Sequence, residues 1–160
     1  MRAPREQLLF GAIYGSVLAS TLTAALSEST GPDDPGYDAL WVLIAALGAA
    51  FSHGYAHVIA RRTTTPGAPG ASAALPQILA QWPLVAASSP TVALLLGSYA
   101  GWYTETVAVY VALGFNTAAL LGWGLAASRV AGRTWPASLR TGCVDMLIGL
   151  FIIAANVLSK

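Results

Sequence analysis

Charge is what this chain has least of. Only 9% of its 160 residues are Asp, Glu, Lys or Arg, while 56% are hydrophobic. A soluble domain carries about 25% charged residues to dress its surface, so the shortage excludes an ordinary water-soluble fold. The net charge of +1 excludes nucleic acid as a partner, because no basic patch is large enough to neutralise several phosphates. Cysteine is nearly missing as well. The single thiol, Cys143, can form neither a disulfide within the chain nor a cysteine metal cage. The sequence also lacks a Gly-rich phosphate loop, a Ser–His–Asp layout and paired acids, so nothing in it supports a soluble-style hydrolase or a nucleotide-driven pump.

The few basic residues are grouped. Arg2 and Arg5 precede the first apolar run, Arg61 and Arg62 follow the second, and Arg129, Arg133 and Arg140 precede the last. Long uncharged stretches between such groups are the charge signature of a multi-span membrane protein. Residues 8–26 make the first span. Its Arg-then-apolar start mimics a signal peptide, but the run is longer than a usual signal core and reads as a retained span. Residues 27–38 hold Glu28, Asp33, Asp34 and Asp38 among Gly31, Pro32, Pro35 and Gly36, which predicts an acidic, solvated loop. Span two covers 39–60. Residues 63–76 read as a flexible linker, with a short interfacial helix over 73–81.

Residues 90–128 are almost enough for two spans at about 20 residues each. Gly97, Gly101 and Tyr103-Thr104-Glu105 offer a turn between them. Spans three and four are therefore placed at 83–102 and 105–128, with Pro83 and Pro90 kinking the third. Span five is 139–158. The expected fold is an all-α integral membrane protein with five transmembrane helices and one membrane domain over 1–160. Its N-terminus is cytoplasmic and its C-terminus outside, in a bacterial-type cytoplasmic membrane. All seven arginines then face the cytoplasm. A four-span arrangement with span three re-entrant puts three of them outside.

Polar groups at membrane depth are the functional candidates, since a charge at a helix centre costs about 2.5–3.5 kcal/mol. His53 and His57 are four apart and share a helix face, a spacing that suits two ligands to one metal, a proton relay, or plain bracing of the bundle. Asp145 in span five lies at a depth similar to that of His53, about 10 Å in. A His53–Asp145 pair is thus a geometric possibility, as a proton switch or cation site. A structural contact of Asp145 with Arg140 or the backbone is the alternative. Glu105 and Asn116 are eleven apart on one face of span four, and Asp145 and Asn156 repeat that spacing in span five. The two helices could present a polar seam to each other or to a pore, or use these groups only as polar glue.

Gly11, Gly15, Ala19 and Thr23 form a small-residue stripe in span one, and Gly48, Ser52, Ala56 and Ala60 another in span two. Such stripes mark helix contacts within the chain or across a dimer. Trp41, Trp82, Trp102, Tyr103 and Trp135 fall near expected interfaces as an aromatic belt; Trp123 lies inside span four.

Two stretches resemble the vacuolar iron transporter family of five-span proteins. Phe10-Gly11-Ala12-Ile13-Tyr14-Gly15-Ser16-Val17 is similar to its first-span motif of Phe-Gly, small or apolar residues, then Asp-Gly. Residues 121–157 are similar to its last two spans, joined by a short basic loop. Together they cover about a third of the chain. Tyr14 stands where the family has a membrane Asp, and residues 63–76 hold no carboxylate where the family has an acidic metal-collecting domain. The resemblance implies a five-helix, dimeric fold with spans of two copies lining a central path. It does not imply iron transport by the family's residues.

The leading functional expectation is a small transporter or channel, as a homodimer in the lipid bilayer. It moves a cation or proton along a seam of His53, His57, Glu105, Asn116 and Asp145, with Gly11, Gly15, Gly48 and Ser52 in helix packing. The metal and cofactor content is left open. Two alternatives stand beside it: a structural or accessory membrane subunit without transport, and a membrane-embedded lipid or isoprenoid enzyme using Asp145 and His53.

Overall fold

The structure, a computed structural model, describes residues 3–28, 34–64 and 74–159. Every regular element among them is a helix: α1 (Ala3–Leu26), α2 (Pro35–Thr64), α3 (Ala74–Leu79), α4 (Trp82–Tyr99), α5 (Glu105–Val130) and α6 (Trp135–Leu158). Four of these, α1, α2, α5 and α6, are long and apolar enough to cross a membrane.

The helices alternate in direction. Gly11 and Gly15 of α1 lie against Pro83 and Leu84 of α4, and Ala19 meets Leu95 and Val92 further along, so α1 and α4 run parallel. Gly36 of α2 lies by Tyr99, and Gly54 by Ile78 of α3 just before α4, so α2 runs opposite to them. Asn116 of α5 bonds Thr91 of α4, while Gly142 and Gly149 of α6 lie against Leu121 and Thr117 of α5, which reverses the chain twice more. One end of the bundle therefore carries Arg61, Arg129, Arg133 and Arg140, and the other carries Glu28, Asp34, Asp38 and Glu105. Glu6 is the acid at the arginine end.

Helix ends follow local chemistry. Asp34 accepts the Tyr37 N–H at 3.0 Å, and Pro35 opens α2, as expected for a side-chain cap with proline at the first helical position. This corrects the loop expected to run to residue 38. Asp38 sits in the first turn of α2, where a carboxylate complements the helix dipole. α2 also runs on through Thr64, past the expected start of the linker; residues 65–73 of that linker lie outside the described residues. α4 and α5 end on glycines with positive φ, Gly101 (78°) and Gly132 (77°), conformations that only glycine adopts freely.

α4 packs against α1, α2 and α5 on one side and exposes Trp82, Ala86, Ser89, Ala93 and Leu96 on the other. Its interior includes Leu84, Ser88, Thr91 and Leu95. Pro90 removes a backbone N–H, which would orphan the carbonyl of Ala86. The Ser89 hydroxyl donates to that oxygen at 2.7 Å, and α4 continues as one helix. The packed interior is small and polar: Ser16, Ser20, Thr23, Ser88, Thr91 and Asn116 are each at most 1% exposed. The large apolar side chains of α2, α5 and α6, such as Leu47, Phe51, Phe115, Leu147 and Phe151, point outward.

Candidate functional site

A cavity of about 560 Å³ opens at the arginine end between α1, α2 and α3. α2 supplies His53, Ala56, His57, Ala60 and Arg61; α1 supplies Glu6, Gln7 and Phe10; the α3 segment supplies Gln77 and Gln81. α3 can lie across the cavity because Gly54 has no side chain. A Cβ there would come within 2.5 Å of the Ile78 Cα.

His53 forms the inner wall. Its Nδ1 lies 2.9 Å from the Ala49 carbonyl oxygen. A carbonyl only accepts, so Nδ1 is the donor in this contact. The ring packs against Tyr14 (centroids 4.8 Å apart) and Phe10 (5.4 Å), and these two rings stack on each other at 5.8 Å. His57, one turn on, is exposed on the same cavity. Gln81 is 2% exposed, and its Nε2 has no hydrogen-bond partner. A buried donor left in that state costs about 1–3 kcal/mol.

The other candidates lie elsewhere. Asp145 is half-buried on α6, its carboxylate over Gly124 of α5, and makes no hydrogen bond or ion pair among the described residues. It does not line the histidine cavity. Equal depth on two helices does not bring side chains together when those helices pack on different neighbours: α2 on α4, α6 on α5. Asn116 donates to Thr91 Oγ1 at 2.8 Å, across to α4 and not to α6. Asn156 ties α6 to the end of α1, donating to Ala24 O at 3.1 Å, Ser27 Oγ at 3.0 Å and Glu28 Oε1 at 3.0 Å. The α5–α6 interface is instead made by close approach at Gly124, Gly142 and Gly149. Glu105 is half-buried in the first turn of α5.

The two small-residue stripes differ. Gly11 and Gly15 bring α1 onto the backbone of α4. Gly48, Ser52, Ala56 and Ala60 are all exposed, and nothing lies within 4 Å of a Cβ placed at Gly48.

A second cleft, of about 230 Å³, lies between α1, α4 and α5 and is lined by apolar groups including Leu8, Trp82, Pro83, Phe115 and Trp123. It contains neither His53 nor Asp145. No group of three or more His, Cys, Asp or Glu among the described residues could hold a metal ion. Sequence reading passed over Gln7, Gln77 and Gln81. The available signal was three amides close to the ends of otherwise apolar runs.

Comparison of the chain with family models, with curated proteins and with solved structures finds no match.

Proposed function

We propose that this chain is an integral membrane protein that crosses the bilayer five times, and that it is a small transporter or channel for a proton or another cation. The alternating helix directions support the fifth crossing. α4 runs parallel to α1, and its 18 residues reach about 27 Å at 1.5 Å per residue, close to the thickness of a hydrocarbon core. Its buried side carries Ser88, Thr91 and Ser98, which meet neighbouring helices instead of lipid, while Trp82, Ala86, Ala93 and Leu96 face outward. The gathering of the described arginines at one end supports a cytoplasmic orientation for that end. The outward apolar faces of α2, α5 and α6 fit contact with lipid tails.

The observation that carries the transport reading is the histidine cavity. It is a recess at the arginine end lined by His53, His57, Glu6, Arg61 and three glutamines, with the Tyr14 and Phe10 rings packed against His53. The bundle interior also holds hydroxyl and amide groups, Ser16, Ser20, Ser88, Thr91 and Asn116, and on this reading a proton or small cation taken up at His53 and His57 passes to them. A second copy docked on the open Gly48–Ser52 face of α2 is the dimer we propose. Asp145 would then serve a separate role at the α5–α6 interface.

Proteoliposome flux of protons, monovalent and divalent cations tests this. Wild-type protein is expected to conduct one of them, and His53→Ala to lower the rate tenfold or more. Wild-type vesicles tight to every species would remove the transport reading. They would leave the accessory-subunit alternative, which the open small-residue face of α2 favours.

A further inference from the structure

We infer that the cavity between α1, α2 and α3 binds a small organic ammonium ion, seated on the ring of Phe10 with Glu6 and glutamine amides around it. The inference rests on the cation reading above and names the class of cation.

Size argues first. At about 560 Å³ the cavity is within the range of sites that take small organic molecules, about 300–1,000 Å³, and far larger than a bare ion needs. Ligand chemistry argues second. A dehydrated metal ion needs several fixed donors, and no cluster of three His, Cys, Asp or Glu exists among the described residues. Glu6 lines the cavity together with Arg61, so a bound cation meets both signs of charge and needs ring and amide contacts as well.

The walls suit an organic cation instead. Phe10 lines the cavity while 47% exposed. Its negative ring face attracts an ammonium group within about 6 Å. Ala56 and Ala60 offer apolar contact to alkyl substituents. The amide oxygens of Gln7 and Gln77, which line the cavity, can accept N–H bonds. Gln81 also borders the recess. Its side chain is 2% exposed and its Nε2 is unpartnered, so a turn of the amide toward an oxygen-bearing occupant would satisfy that donor.

The test uses the full chain purified in detergent. Calorimetric titrations with ethanolammonium, tetraethylammonium, Mn²⁺, Zn²⁺ and inorganic phosphate are compared. An ammonium probe is expected to bind, and Phe10→Leu to weaken it about tenfold, the size of one desolvated cation–ring contact. Phe10→Trp restores it, and Glu6→Gln weakens it several-fold. Phe115→Leu, a ring of equal exposure outside this cavity, leaves it unchanged. Binding of Mn²⁺, Zn²⁺ or phosphate with no binding of either ammonium overturns the inference, as does ammonium affinity that ignores Phe10. The vesicle assay separates the two readings. Inorganic cation flux without ammonium binding leaves transport standing and removes this inference. Ammonium binding without flux of any cation, the ammonium probe included, does the reverse.

Discussion

Asn116 and Thr91 illustrate how single side chains hold this bundle together. The amide of Asn116 is fully buried and donates to the Thr91 hydroxyl at 2.8 Å. Thr91→Val keeps the shape of the site but strands the donor, so a loss of about 1–2 kcal/mol is expected. The double variant Thr91→Val/Asn116→Leu should recover part of it, read as the detergent melting midpoint in a double-mutant cycle. Gly15 is a sharper case. A Cβ there would strike the Leu84 carbonyl, part of a backbone that cannot rotate away. Gly15→Ala should destabilise by about 1–3 kcal/mol, whereas Gly48→Ala, with open space around it, should change the melting midpoint little. The two glycines look alike as sequence. Spacing marks both as close-approach positions, but which one faces a neighbour depends on which way its helix is turned.

At the level of the element, α4 and α3 are the instructive pieces. Ser89 donates to the carbonyl that Pro90 leaves open. Ser89→Ala is therefore expected to cost about 1 kcal/mol, and Pro90→Ala added to it should recover stability by restoring the N–H. If the second change destabilises further, the serine is not compensating for the proline. Helix boundaries were legible where caps and charges mark them: residues 8–26, 105–128 and 139–158 all fall inside single helices, α1, α5 and α6. The start of α2 was not legible, because an Asp-rich stretch with two prolines reads equally as a loop and as a capped first turn. A small share of the site was readable. His53 and His57, expected on one helix face from their four-residue spacing, both line one cavity. Pairing His53 with Asp145 needed the identity of each helix's neighbour, which depth along an axis does not contain. Gln81 carried no periodic signal and became visible only when α3 folded over it.

Over the whole molecule, serine, threonine and asparagine share the interior with alanine and a few leucines such as Leu84, Leu95, Leu113 and Leu120, while many large apolar side chains face outward. On the five-crossing reading the two chain ends lie in different compartments. Labelling of single cysteines introduced at Gln7 and Ser159, in a Cys143→Ser background, should therefore respond to a membrane-impermeant reagent from opposite sides. Labelling of both from one side would rule out the odd number of crossings. On the proposed dimer, Gly48→Leu should leave the monomer's melting midpoint unchanged while lowering the dimer fraction measured by light scattering.

The packing of one side of α4 on other helices also bears, on the five-crossing reading, on how such a chain reaches its final state during synthesis. Ser88, Thr91 and Ser98 on that side gain from meeting protein instead of lipid, so on that reading α4 settles against a protein groove. α1 emerges from the ribosome earlier and already displays the glycines at 11 and 15 that shape this groove. Biogenesis would then be sequential: a nascent chain whose α1 glycines have been filled would stall with α4 on the aqueous side, and every later segment would inherit the wrong sidedness.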